Sequence, residues 1–186
     1  MNKVKRILVS IVVILIILFF FIRLVVLIIM QSSPELGLDH GAFTECPAYP
    51  ACVSSQADPN DEVHYIESIP NGMTTDNAKG TIAVLMNSIT GAQLVDAGDQ
   101  YLHFEVRVQP FGFVDDIEFY FPWDQAPIEV RSSARVPYYD FDVNRERVEI
   151  IHKSGTHLLT LISDVLDMAK IEAGFVRKFI EIHGRR

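Results

Sequence analysis

The sequence predicts an α+β fold: a small, mostly antiparallel four-stranded sheet, one helix before it, one long helix after it, and an N-terminal transmembrane helix. Three observations carry that expectation. Residues 7–30 are almost uninterrupted Ile, Leu, Val and Phe. Between residues 78 and 121 the apolar period shifts from that of a helix to that of a strand, and from residue 148 it shifts back.

The apolar run is 24 residues long. As a helix it covers roughly 36 Å, enough to cross a hydrocarbon core of about 30 Å with some tilt. Its one charge, Arg23, lies in the second half, where it can reach the far headgroups. Lys3, Lys5 and Arg6 precede the run, which predicts a cytoplasmic N-terminus and an extracytoplasmic remainder, periplasmic in a Gram-negative bacterium. The run exceeds a signal-peptide core, and the residues after it offer no small-x-small cleavage pattern. An uncleaved signal-anchor over residues 1–30 is therefore expected, rather than a cleaved signal peptide.

Charge excludes one class of partner. The chain carries 16 cations and 24 acids, and four of the cations (Lys3, Lys5, Arg6 and Arg23) fall before residue 31. The remaining 12 cations against 24 acids leave a net −12 on residues 31–186. Such a surface repels phosphate backbones, so no nucleic-acid partner is expected.

Residues 31–45, with Pro34, Gly37 and Gly41, read as a linker. A domain is then expected over residues 46–150. It opens on Cys46-Pro-Ala-Tyr-Pro-Ala-Cys52, a pre-bent loop for which a short disulfide and free thiols are both open readings. A zinc site would need further ligands, and no other Cys exists. Residues 56–75 are loop-like, with a short strand at 64–69. Thr75 or Asp76 can cap a helix on which Ala78, Ile82, Leu85 and Ile89 recur, with Gly91 at its end. Strands follow at 92–96, 101–108, 111–121 and 128–133, with a tight turn at Gly98-Asp99.

The richest stretch lies between Phe111 and Glu149. In the strand 111–121 one face reads Phe111, Phe113, Asp115, Ile117, Phe119 and Phe121, so Asp115 interrupts an apolar row. An unpaired carboxylate there is costly, and Arg131 and Arg135 on the next segment are its expected partners. The other face offers Asp116 and Glu118, which with His103 and Glu105 could make an oxygen-rich cation site. Adjacent aspartates point to opposite faces and cannot share a proton. The cluster Asp115, Asp116, Glu118, Arg131, Arg135, Asp140, Asn144 and Arg145 is therefore expected to be structural or ligand-binding. A hydrolase or metal-dependent enzyme centred on Asp116, Glu118 and His103 is the alternative. No nucleophile elbow, phosphate-binding Gly-rich loop or His-Glu-x-x-His is present, so no catalytic residue, metal, cofactor or particular small-molecule ligand is assigned.

These segments match a known pattern. Cys46-Pro-x-x-Pro-x-Cys52-Val-Ser-Ser, Tyr101-Leu, Phe113-Val-Asp-Asp-x-Glu-Phe119, Arg131-Ser-x-x-Arg135 and Asp140-x-x-Val-Asn-Arg-x-Arg-Val-Glu149 together resemble domain of unknown function family 1499, over about residues 40–150. The family has no established activity. The resemblance thus implies an architecture and not a reaction. The chain departs from the pattern at Ala51, where Asn is usual, and at Pro137 and Asp142, where Gly is usual.

The tail, residues 151–186, carries a second resemblance. Ile150-Ile-His-Lys-Ser-Gly-Thr-His-Leu-Leu-Thr-Leu-Ile-Ser-Asp-Val-Leu-Asp-Met-Ala-Lys-Ile-Glu-Ala-Gly174 is similar to the second dimerisation helix of sensor histidine kinases. The phosphoryl-accepting His-Glu-x-Arg-x-Pro box has no counterpart, and none of the six histidines is followed by Glu. A signalling fragment without its phospho-acceptor and ATP-binding parts is the third functional reading. The seam through Val148, Ile151, Leu158, Ile162 and Val165 predicts either packing on the chain's own sheet or a homodimer.

Overall fold

The computed structural model describes residues 3–29, 35–136 and 140–157. Helix α1 (Lys3–Ile29) is long and apolar enough to cross a membrane. Its large apolar side chains from Val4 to Phe21 stand exposed, which a core helix of a soluble domain would not allow. Its C-terminal part touches the domain, through Phe19, Ile22, Arg23 and Val26.

The sheet has five strands, not four, in the order β3 (Cys52–Ser54), β7 (Glu129–Ala134), β6 (Phe113–Tyr120), β5 (Tyr101–Val108) and β4 (Ala92–Ala97). Every pairing is antiparallel. The strand missing from the sequence reading is β3. Its three residues are too few to display a period, and its pairing with β7 is long-range. Residues 64–69 are not a strand: Tyr65 and Ile69 make isolated bridges to Ser54 and Ile128. Within the stretch read as linker, β1 (Leu38–Asp39) and β2 (Ala42–Phe43) form a separate two-stranded ribbon. The tight turn at its tip uses Gly41 at φ 86°.

One sheet face is apolar and covered by helices. Val130, Ile117, Phe119, Leu102, Phe104 and Val106 meet Ala78, Ile82 and Met86 of helix α2 (Thr75–Asn87) and Val148 and Ile151 of helix α3 (residues 143–157). Leu85 and Ile89, expected on the buried stripe of α2, are only partly buried, and Met86 takes the central place. The N-cap of α2 is Thr74, one residue earlier than expected. It makes no side-chain cap; instead the Asp124 carboxylate accepts from the Thr75 N–H at 2.7 Å. A negative charge at a helix N-terminus is favourable in any case.

The free edge, β4, is the exposed strand, and a register shift between Leu94 and Asp96 breaks its ladder. Such a bulge twists an edge away from pairing with another sheet. Ahead of α3, Phe141 and Asp142 both adopt left-handed backbone, φ 59° and 61°. Asp142 thus takes the conformation for which the family pattern uses Gly, and its N–H donates to Asp140 Oδ1 at 3.1 Å. Pro137 lies outside the described residues.

Candidate functional site

Strand alternation divides the predicted cluster into separate assemblies on the two faces of β6. On the helix face, Asp115 Oδ2 accepts from Arg147 Nη2 at 2.7 Å. Neither Arg131 nor Arg135 reaches it, contrary to the expectation from sequence. Arg147 Nη1 also donates to Asn144 Oδ1 at 2.8 Å, and the Ser132 hydroxyl bonds the same oxygen. Asp140 Oδ2 in turn accepts from the Asn144 N–H and Nδ2, at 3.1 and 2.7 Å, and so caps α3. Asp115, Ser132, Asn144 and Arg147 are all buried. Burial pushes the Asp115 carboxyl above its ordinary range, and the Arg147 guanidinium only partly offsets this.

Strand pairing alone points to the arginines of the next segment and gives no sign of Arg147, which lies on a helix 32 residues from Asp115. A signal was present nonetheless. Asn144, Arg147, Val148 and Ile151 follow spacings of three, one and three, which is a single helix face. An arginine on the stripe that buries Val148 and Ile151 must find an acid inside, and Asp115 is the acid in the facing apolar row.

On the opposite face, Asp116 receives a two-pronged clamp from Arg135, Nε to Oδ2 and Nη2 to Oδ1, both at 2.8 Å. Arg135 Nη2 also donates to Glu105 Oε1 at 2.6 Å. His103 Nε2 lies 2.8 Å from Asp116 Oδ1. Burial alone would raise the Asp116 carboxyl, but the hydrogen bonds from Arg135 and His103 outweigh it and hold the group below its usual range. An ionised carboxylate only accepts, so His103 carries its hydrogen on Nε2. The same clamp raises the Arg135 guanidinium above its ordinary value.

Two residues along, Glu118 is closed off in the same way. Arg131 Nη1 donates to Oε2 at 2.9 Å, while the Tyr101 hydroxyl and the Gly37 N–H donate to Oε1 at 2.7 and 2.8 Å. Burial and the adjacent Glu118 push the Tyr101 hydroxyl far above its usual value. Gly37 and the ribbon that follows it lie over this face; Gly41 packs on the Tyr120 ring, where an added Cβ would sit 3.1 Å from the hydroxyl. Asp116 and Glu118 are exposed by 1% and 0%, so this face is not the open acidic surface the alternation suggested. Buried charges need such partners, and here each acid has them.

Arg145 belongs to neither assembly. It donates to the carbonyls of Glu62 and Val63, at 3.2 and 3.0 Å. Cys46 and Cys52 are joined by a disulfide, S–S 2.00 Å. Among the described residues, no three of His, Cys, Asp and Glu converge closely enough to hold a metal ion.

The open space lies beside the sheet. A cleft of about 540 Å³ runs between the ribbon and the loop after β3, lined by Phe43, Glu45, Ser54, Gln56, Asp61 and His64, among others. His64 Nδ1 is 2.7 Å from Asp61 Oδ2, and that bond lowers the Asp61 carboxyl. Gln56 frames the mouth, accepting from the Phe43 N–H at 2.8 Å and donating to the Gly41 carbonyl at 3.0 Å. Sequence reading passed over this site because its residues are spread over loops without a period. Directly across the ladder from Ser54 is Arg131, whose buried Nε has no hydrogen-bond partner among the described residues.

Of the predicted dimer seam, Ile151 is buried in the chain's own core. Leu158, Ile162 and Val165 lie outside the described residues.

Comparison with known proteins yields one family and several short likenesses. The profile of the family described as "Protein of unknown function (DUF1499)" matches residues 42–154. An uncharacterized sensor-like histidine kinase of Rhizobium meliloti is 52% identical over 40 residues, which is 22% of this chain and 8% of that protein. Histidine protein kinase DivJ of Caulobacter vibrioides is 71% identical over 28 residues, 15% of this chain and 5% of its own. The non-motile and phage-resistance protein of the same organism is 62% identical over 34 residues, 18% of this chain and 4% of its own. The chain thus spans less than a tenth of the length of these curated relatives. No solved structure matches.

Proposed function

This chain belongs to the DUF1499 family, and from that premise we propose that it is a membrane-anchored, extracytoplasmic binding module associated with the cell envelope, without catalytic activity of its own. The closure of Asp116 and Glu118 carries this reading. Each is buried and held by an arginine, His103 donates into the same clamp, and a substrate would have to break these contacts to reach them. Such pairs serve the fold. In this reading α1 is an uncleaved anchor, supported by its exposed apolar surface and the cations before it. The disulfide supports the outer side of the membrane, where cysteines stay oxidised.

The ligand site in this reading is the cleft between the ribbon and residues 54–64. Its carboxylates, amide and imidazole suit a polar, hydroxyl- or amine-bearing molecule. A thermal-shift screen of the purified protein against polar metabolites and divalent cations, with elemental analysis, is the test. Stabilisation that is lost in Asp61→Asn supports the reading. Turnover of any compound, or a bound metal needed for folding, overturns it.

The short matches to sensor kinases favour one addition. The tail pairs with a second copy through Leu158, Ile162 and Val165, as the second dimerisation helix of such kinases does. Sedimentation of the full chain in detergent as a monomer at high concentration, or an assembly indifferent to Leu158→Lys, sinks that addition.

A further inference from the structure

The turn between β5 and β6 meets the apolar helix directly. Arg23 Nη1 donates to the Pro110 carbonyl at 3.1 Å. The approach is close enough that a Cβ at Gly112, itself at φ 81°, would lie 2.5 Å from the same nitrogen. The rings of Phe19 and Phe111 are 6.0 Å apart, and Phe111 and Phe113 are 5.7 Å apart, so aromatic contact is continuous from helix to turn. Beside them, Ile22 and Val26 pack on Phe113, Val114 and Val136.

Depth follows from helix geometry. Phe19 comes twelve residues after Ile7, where the apolar run begins, which is roughly 18 Å along an axis rising 1.5 Å per residue. In a hydrocarbon layer of about 30 Å, Phe19 then lies just past the midplane and Arg23, roughly 24 Å along, nearer the far headgroups. Whatever contacts both residues is itself at lipid depth. Composition agrees, since residues 106–114 contain no acid and one cation, Arg107, in a region that is otherwise strongly acidic. The acids Asp96, Asp99 and Asp124 sit at the other end of the sheet, beyond strands of eight residues, or about 27 Å.

We propose that the β5–β6 turn is a lipid-contacting surface: Phe111 and Phe113 enter the acyl layer beside the span, and Arg23 and Arg107 reach toward the lipid phosphates. The domain therefore rests on the bilayer at a fixed angle rather than swinging on a tether. This rests on the anchoring reading above, and it holds whichever side of the membrane the domain occupies.

The test uses the full chain reconstituted in phosphatidylcholine vesicles with a minor share of phosphatidylglycerol. Phe111→Trp in a Trp123→Phe background is compared with the native chain, whose single tryptophan, Trp123, is at the far end of the sheet. Lipids brominated along the acyl chain should remove about half or more of the emission at residue 111 and leave Trp123 unchanged. Should Phe111→Trp misfold, Gln109→Cys carrying a nitroxide replaces it. A label more accessible to oxygen than to a water-soluble nickel chelate supports the proposal. A chain that floats with the vesicles but shows neither protection nor quenching at the turn overturns this inference alone. A chain that does not float removes the anchoring reading and this inference with it.

Discussion

Asp115 Oδ2 and Arg147 Nη2, 32 residues apart in sequence, meet at 2.7 Å inside the domain and join the middle of β6 to the buried face of α3. The pair decides where α3 sits, because Val148 and Ile151 can slide along an apolar sheet but an arginine cannot slide away from its acid.

Arg147→Met should therefore destabilise the domain by about 3–5 kcal/mol, since it strands Asp115 without a cation. The paired change Asp115→Leu with Arg147→Met should cost much less, since it removes both charges together. Urea denaturation of the two variants makes the comparison, and equal losses would show that the pair is not coupled.

Glu118 poses the same question on the other face. Arg131→Met leaves a fully buried carboxylate with only the Tyr101 hydroxyl and the Gly37 N–H. A loss of about 3–5 kcal/mol is expected, and an unchanged melting temperature would refute the structural role given to the pair.

The neighbouring aspartates should titrate with opposite sign. Asp115 has its folded pKa raised above 3.8 by burial, so its contribution is present below that value and is lost as pH rises through the folded pKa. Asp116 has its folded pKa lowered, so its contribution is present above 3.8 and is lost as pH falls through the folded pKa. The unfolding free energy of wild type minus Asp115→Asn should fall as pH climbs from acid toward neutral. Wild type minus Asp116→Asn should rise in the acid range and then level off. Denaturation curves collected across pH supply both differences, and slopes of one sign would contradict the assignment.

The Cys46–Cys52 bridge closes a short ring, with a sequence separation of 6. Chain entropy predicts a contribution of about 2 kcal/mol for so few residues. The double variant Cys46→Ser, Cys52→Ser should lose roughly that much, and reductant should lower the wild type alone.

What the sequence made legible follows from where its periods are unbroken. Tyr101–Val108 alternates cleanly and forms β5, and Ala78 and Ile82 do lie on the buried stripe of α2. The long apolar run forms a helix fit to cross a membrane. Short elements escaped. Cys52–Ser54 and the ribbon strands have two or three residues each, and they exist only because Ser133, Ser132 and Arg131, or each other, supply the hydrogen bonds. Of the candidate site, the identities were legible and the pairings were not. The apolar row identifies Asp115 as a buried charge in need of a cation, yet its partner comes from a helix whose approach depends on tertiary packing. The cleft was invisible, because Glu45, Gln56, Asp61 and His64 converge only once the ribbon is laid beside β3.

The place of β3 sets the order in which the domain can be completed. It leaves the ribosome early and carries Cys52, but its ladder partner is β7, whose residues emerge some eighty positions later. Loop closure over that distance is slow, and the edge of β7 stays bare until it happens. Pulsed hydrogen exchange during refolding should find the amides of β3 protected last. Until then the unfinished sheet presents a bare edge, a period in which a chaperone has something to grip.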